Sequence, residues 1–388
     1  MKVGIITIHN SPNYGASLQC FALYKYLELQ SYDVEIINLY RPYHADYKTS
    51  RKYVTYAERM LPLTQCLKQR IKGFIRKPEK QSYTSLKESN PAIKKIELFN
   101  SQIKLSMPFY GIDDLYATPP QYDIYITGSD QVWNPSQRYC IEPYFLTFVK
   151  KGMCISYASS IGLESLPDIV SKDYQKWLKH YDAISVREEK ARKVLQSLTN
   201  RNIEKVADPT FLLDIEFWQN LSVKPKVDDY ILLFTLEWDS NQFIYAKRIS
   251  EESGKQLVIV SQWNNIQETD YGCIWINDAG PEEWLGYIAH ANMVITDSFH
   301  CTVFSIILGT NNFYTYIAPW NNRGSRIKEL LNDFSLSQHL LNPDFSQCYN
   351  ELVQNKINKE SVLNTYLRIQ QHGRDFLNKN GRKQQTNS

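Results

Sequence analysis

At 388 residues the chain exceeds what one hydrophobic core usually organises, so two domains are expected, each burying its own centre. With 43% apolar residues, 22% charged residues and a formal net charge of +3, it has the composition of a folded, water-soluble body without the basic excess of a nucleic-acid binder. The seven cysteines (Cys20, Cys66, Cys140, Cys154, Cys273, Cys301, Cys348) are odd in number and never spaced CxxC, which argues against a disulfide framework or a zinc site. Reduced thiols fit a cytoplasmic location, as does the lack of a transmembrane-length apolar run or a signal-peptide pattern after Met1-Lys2.

In chain order, residues 2–8 read as a short buried strand and 34–39 as a second, with a helical pattern over 17–29 between them. Further short apolar strands are expected at 124–127, 154–158 and 183–186, each followed by a polar or helical segment. Such alternation implies a mainly parallel sheet covered by helices. Residues 41–120 have weaker periodicity and read as a helical, basic insertion in an N-terminal domain spanning 1–215. The stretch from Asp208-Pro209-Thr210 to Lys226, with Pro209 and Pro225 near its ends, reads as the link to a second lobe. Alternation then restarts, with strands at 230–236, 257–261, 273–276, 293–296 and 312–317 and helices near 241–252, 281–289 and 325–331. This second domain covers 216–357, and residues 358–388 are expected to form a helix packing back on the N-terminal domain, with a disordered tail. The expected fold class is α/β, two Rossmann-like domains facing a cleft.

In open parallel sheets ligands bind beyond the carboxyl ends of the strands, so residues just after each strand are the candidates. After the first strand, Asn13, Tyr14 and Gly15 approach a helix N-terminus, where backbone N–H groups favour anions; a tight strand-to-helix turn accounts for Gly15 equally well. After the third, Gly128 permits close backbone approach, Ser129 and Asp130 offer polar groups, and Trp133 could stack on a sugar; Asp130 as a helix cap and Trp133 as core explain the same residues. Arg187 closes the strand at 183–186, where its planar fork suits a carboxylate or phosphate, or pairs with Glu188.

Asp297-Ser298-Phe299-His300-Cys301-Thr302 is the sharpest cluster, lying between the strand at 293–296 and an apolar helix at 303–308. A helix N-terminus disfavours an imidazolium, which suits His300 to proton exchange. Cys301 is set aside as a nucleophile, since adjacent residues rarely hold the orientation a Cys–His pair needs. No Asp-x-Asp pair, HExxH or Cys/His cluster occurs, so metal-free chemistry is expected, with no cofactor.

The segments 13–19, 128–134, 186–188, 208–210 and 296–300, in that order and spacing, resemble the polysaccharide pyruvyl transferase family over roughly residues 1–335. The resemblance implies a glycosyltransferase-B-like fold, with phosphoenolpyruvate as donor. The acceptor it implies is a galactose-type sugar of a surface-polysaccharide precursor, converted to a cyclic pyruvate ketal. By motif it implies Arg187, Arg326 and Ser298 as phosphoenolpyruvate-binding residues and His300 as the acid/base residue, with Arg323 a neighbour of Arg326. Asn13, Tyr14, Gly15, Gly128, Ser129, Asp130 and Trp133 are left as acceptor-binding candidates. Cys301 departs from the glycine that commonly follows the histidine in this family.

Acceptors of such enzymes are often lipid-diphosphate-linked oligosaccharides, implying work at the inner face of a membrane. Residues 59–80 interleave apolar and basic side chains as an interfacial helix would, although a basic helix packed on its own domain has the same pattern. Two other functions fit the same architecture: a nucleotide-sugar-dependent glycosyltransferase, and a non-catalytic glycan- or nucleotide-binding assembly protein.

Overall fold

Two all-parallel sheets organise the computed structural model, which describes residues 1–42, 44–50, 52–56, 90–163, 165–261, 272–319 and 324–381. The first has six strands: β1 (Lys2–Ile6), β2 (Asp33–Ile36), β3 (Ile124–Thr127), β4 (Met153–Ser159), β5 (Ala183–Val186) and β6 (Ile203–Lys205). Their order is β2-β1-β3-β4-β5-β6. The second has five, β7 (Tyr230–Phe234), β8 (Gln256–Val260), β9 (Ile274–Ile276), β10 (Met293–Thr296) and β11 (Phe313–Thr315), in the order β11-β10-β7-β8-β9. Two Rossmann-like domains, the glycosyltransferase-B-like arrangement, are therefore present.

Helices cover both sheets. The first domain has α1 (Tyr14–Leu29), α2 (Pro91–Asn100), α3 (Ile112–Ala117), α4 (Asp168–Trp177) and α5 (Glu189–Gln196), followed by α6 (Ile215–Leu221) in the link. The second has α7 (Ser240–Ser253), α8 (Pro281–His290), α9 (Phe299–Ile307), α10 (Ser325–Asp333) and α11 (Tyr349–Leu352), and the chain closes with α12 (Lys359–Gly381). Local chemistry sets the ends. Asn90 caps α2 with Pro91 in its first turn, and Asp239 caps α7, which stops at Gly254 in the left-handed region at φ +69°.

Period-two alternation splits each strand between two faces. In β7, Leu232 and Phe234 face a cluster that also holds Val3, Ile5 and Ile126, whereas Ile231 and Leu233 pack on the opposite face. One apolar cluster thus runs from the first sheet to the second, so the separate centres expected for two domains are joined. Aromatic contacts reinforce the junction: Tyr14 stacks on Trp284 at 5.1 Å and meets Phe234 at 5.9 Å. The last helix lies on the first domain, with Gln370 donating to the Leu213 carbonyl at 3.1 Å and Arg374 Nη2 to that of Leu212 at 2.7 Å.

Three details differ from the sequence expectation. The helix expected from 303 begins at Phe299, because Ser298 accepts from Cys301 N at 3.3 Å and caps it there. The second strand stops at Ile36, and further on Leu39 bridges to Phe109 outside the sheet. The edge strand β6 was not expected. The basic segment 59–80, Arg323 and the tail 382–388 lie outside the described residues. Among the described residues no helix is long and apolar enough to cross a membrane.

In both sheets the strand order reverses beside the first strand, between β1 and β3 in one and between β7 and β10 in the other. The crevices at these points are bounded by the loops after β1, β3, β7 and β10. Asp297 ties the second pair together, accepting from Thr235 Oγ1 at 2.8 Å and Leu236 N at 2.7 Å.

Candidate active site

The carboxyl ends of β3, β5, β6 and β10 bring one cluster together. Arg187 follows β5, Ser129 lies just after β3, Asp208 just after β6, and His300 in the first turn of α9, so the second domain supplies the histidine and the first its partners. Asp208 is the hub. Its side chain is fully inaccessible and accepts from Arg187 Nη1 at 2.7 Å, Ser129 Oγ at 3.1 Å, Thr210 N at 3.1 Å and Thr210 Oγ1 at 2.9 Å. His300 Nε2 stands 3.5 Å from Asp208 Oδ2, an ion-pair distance long for a hydrogen bond.

Burial alone would push the Asp208 carboxyl up. His300 and Arg187 more than offset that and hold it well below the usual carboxylate range, so it is ionised at any working pH. Burial likewise opposes the Arg187 charge, and Glu188 and Asp208 outweigh it, raising its pKa further. The Arg187 Nε donates to Glu188 Oε1 at 3.1 Å, while its buried Nη2 and the Glu188 Oε2 have no hydrogen-bond partner among the described residues.

Phe299 is the platform beneath the cations. The Arg187 guanidinium lies 4.5 Å and that of Arg326 5.5 Å from the centre of its ring. Both arginines, Asp208 and Phe299 line a cavity of about 280 Å³, where Lys205 and Arg368 stand together with the carboxylates of Glu188, Glu329 and Asp333. Two guanidinium groups held against one ring suit a small ligand with two acidic groups.

Gly15 connects this cluster to the first switch point. A Cβ there would overlap Nδ1 and Cγ of His300, so the glycine is required by close approach of the imidazole. His300 is thus held between the start of α1 on one side and Asp208 on the other.

The other sequence candidates have structural duties. Trp133 is fully buried, stacked on Phe145 at 4.8 Å and donating to the Tyr144 carbonyl at 2.8 Å, so as a sugar platform it is corrected to core. Tyr14 is also corrected: it is buried in the interdomain junction and donates to the Ala279 carbonyl at 2.7 Å. Asn13 caps α1 through Ala16 N, and Ser298, expected to hold phosphoenolpyruvate, uses its oxygen to cap α9. Gly128 packs against Thr7, and Asp130 sits at φ +70° with its carboxylate accepting from Gln131 N, in a local turn. Cys301 is buried and its thiol is pushed up to about 12, which makes it inert.

Sequence reasoning passed over Asp208 and treated Glu188 only as a competitor for Arg187. The signal for Asp208 is present in Asp208-Pro209-Thr210, which reads both as the start of a domain link and as one of the segments resembling the family. That motif makes a 3-10 turn closed by Asp208 accepting from Thr210 N, and the turn aims the other carboxylate oxygen at Arg187 and His300.

The family model for polysaccharide pyruvyl transferase matches residues 13–317, which takes in Gly15, Arg187, Asp208 and His300. The chain belongs to the polysaccharide pyruvyl transferase family. Arg326 and α12 lie beyond the matched stretch of this family member. Comparison of its sequence with curated proteins gives no match.

Among solved structures, the chain is similar to the spinosyn forosaminyltransferase SpnP, with 12% identity, a TM-score of 0.46, and coverage of 97% of this chain and 95% of that one. It is also similar to the UDP-GlcNAc 2-epimerase of Methanocaldococcus jannaschii, with 14% identity, a TM-score of 0.46, and coverage of 96% and 100%. The UDP-GlcNAc 2-epimerase of Neisseria meningitidis matches with 10% identity, a TM-score of 0.41, and coverage of 95% and 100%.

Proposed function

We propose that this pyruvyl transferase takes its pyruvyl group from phosphoenolpyruvate and forms a cyclic ketal on a galactose-type sugar of a surface-polysaccharide precursor. The observation that carries this reading is the chain of contacts Arg187–Asp208–His300 across the cleft, with Arg326 on the same Phe299 ring. Phosphoenolpyruvate has a carboxylate and a phosphate, and two arginines on one platform fix both ends and offset the charge of the departing phosphate.

The reaction then needs proton movements and a leaving group. One sugar hydroxyl adds to C2 of phosphoenolpyruvate and loses its proton, while C3 gains a proton and becomes a methyl group. The C2–O bond to phosphate breaks with its electron pair going to phosphate, and a second hydroxyl closes the ring at C2, losing its own proton. The products are one ketal and one inorganic phosphate. His300, oriented by the Asp208 carboxylate, exchanges the proton; such a group contributes roughly 10² to 10⁴ in rate.

Incubation with phosphoenolpyruvate and a panel of galactosides tests the reading. Phosphate release in step with a pyruvate ketal on the sugar supports it, whereas untouched phosphoenolpyruvate and consumption of a nucleotide sugar instead would replace it with glycosyl transfer. The acceptor we propose is lipid-diphosphate-linked, supported by the basic and apolar pattern of residues 59–80. Failure to float with anionic liposomes would remove that membrane contact.

A further inference from the structure

A second cavity, of about 370 Å³, lies at the carboxyl ends of β1 and β2 and is walled on one side by α2. Its chemistry is unlike that of the arginine cavity. Glu97 and Asp46 line it, and among the described residues no lysine or arginine does; Arg41 stands beside it, with its guanidinium committed to Asn10 Oδ1 at 2.9 Å. His9 is buried and neutral, pushed down to about 4 mainly by that burial, with its ring between Asn38 Oδ1 at 3.1 Å and the Thr7 carbonyl at 3.3 Å.

Two features fit a neutral ligand rich in hydroxyl groups. Asn100 spends its amide nitrogen on Ser17 Oγ at 3.2 Å and the His9 carbonyl at 3.4 Å, which leaves its buried Oδ1 as an acceptor without a partner among the described residues. A buried carbonyl of this kind is costly to leave unmet until a donor reaches it. Tyr40 and His44 line the cavity and stack on each other at 3.7 Å, an aromatic pair of the sort that packs on the apolar face of a pyranose.

The position suits an acceptor. The loop that follows β1 lines the cavity with His9, Asn10, Ser11 and Pro12, and three residues further on Gly15 meets His300. Helix α2 also reaches the second domain, where Lys95 pairs with Glu283 at 2.6 Å.

We infer that this cavity binds a sugar ring of the acceptor glycan, with the Asn100 carbonyl accepting from a ring hydroxyl and the Tyr40–His44 pair forming the stacking wall. The inference rests on the pyruvyl-transfer reading for the identity of the glycan as acceptor, while the cavity's affinity for a neutral sugar stands by itself.

Saturation-transfer NMR on the full chain, with the methyl glycosides of galactose, glucose, mannose and N-acetylglucosamine as probes, tests it. At least one glycoside should receive saturation on the wild type. That contact should weaken about tenfold or more in Ala45→Trp, which fills the cavity from an exposed wall position, and in Tyr40→Ala, which removes the wall. Calorimetric binding of phosphoenolpyruvate should be unchanged in Ala45→Trp. No saturation of any glycoside on the wild type, or equal saturation in a folded Ala45→Trp, overturns the inference. Glycoside binding at this cavity with no turnover of phosphoenolpyruvate overturns the pyruvyl reading and leaves the sugar site standing.

Discussion

Replacing Asp208 by asparagine removes one charge from a fully buried position between Arg187 and His300. The carboxylate is fully inaccessible and accepts from Arg187, Ser129 and Thr210. An asparagine oxygen can still serve Thr210, but its NH₂ is then turned toward Arg187 Nη1, donor against donor. Removing one partner of a buried ion pair costs about 3–5 kcal/mol, and because Glu188 still faces Arg187 at 3.1 Å the loss should fall near 3. Urea unfolding followed by circular dichroism at pH 7 measures it, and a loss under about 1 kcal/mol refutes the view of Asp208 as the hub. The pH dependence gives a second check. Asp208 is held below its ordinary value in the folded chain, so its contribution is complete above the unfolded value of about 3.9 and is lost as pH falls below it. The stability gap between wild type and Asp208→Asn should therefore narrow as pH falls below about 4, and a gap that widens there contradicts the assignment.

Gly15→Ala should displace the His300 ring that occupies the Cβ position and cut turnover about 100-fold with phosphoenolpyruvate binding retained by calorimetry; normal turnover would contradict the close approach. Arg326→Ala should weaken phosphoenolpyruvate by about 1.5–3 kcal/mol, read as a raised KM or Kd, since it removes a charged partner of the anion. Trp133→Ala should lower stability by about 3–5 kcal/mol in urea, because the ring is fully buried, and in protein that still folds the KM for the sugar should not move; a selective rise in that KM would return Trp133 to the acceptor site.

The strand cores were legible because both faces are buried, which makes them short continuous apolar runs: 124–127, 183–186 and 293–296 coincide with β3, β5 and β10. β6 escaped because it is a three-residue edge strand with one apolar side chain, Ile203. Arg187 and His300 were visible from their position after strands, yet their meeting at Asp208 was not, since that contact joins residues 92 apart across two domains and has no local period. Trp133 and Tyr14 misled for a related reason. An aromatic residue in a loop after a strand looks the same in sequence whether its ring faces a ligand or, as in both cases here, the core.

The central claim is that His300, set by Asp208 and Gly15, moves a proton during pyruvyl transfer. Turnover of phosphoenolpyruvate with a galactoside acceptor by His300→Ala, measured beside calorimetric binding of phosphoenolpyruvate to the same protein, tests it most directly. Turnover should fall by roughly 10² to 10⁴ with binding largely kept. Near-normal turnover in a variant that still binds phosphoenolpyruvate would contradict it.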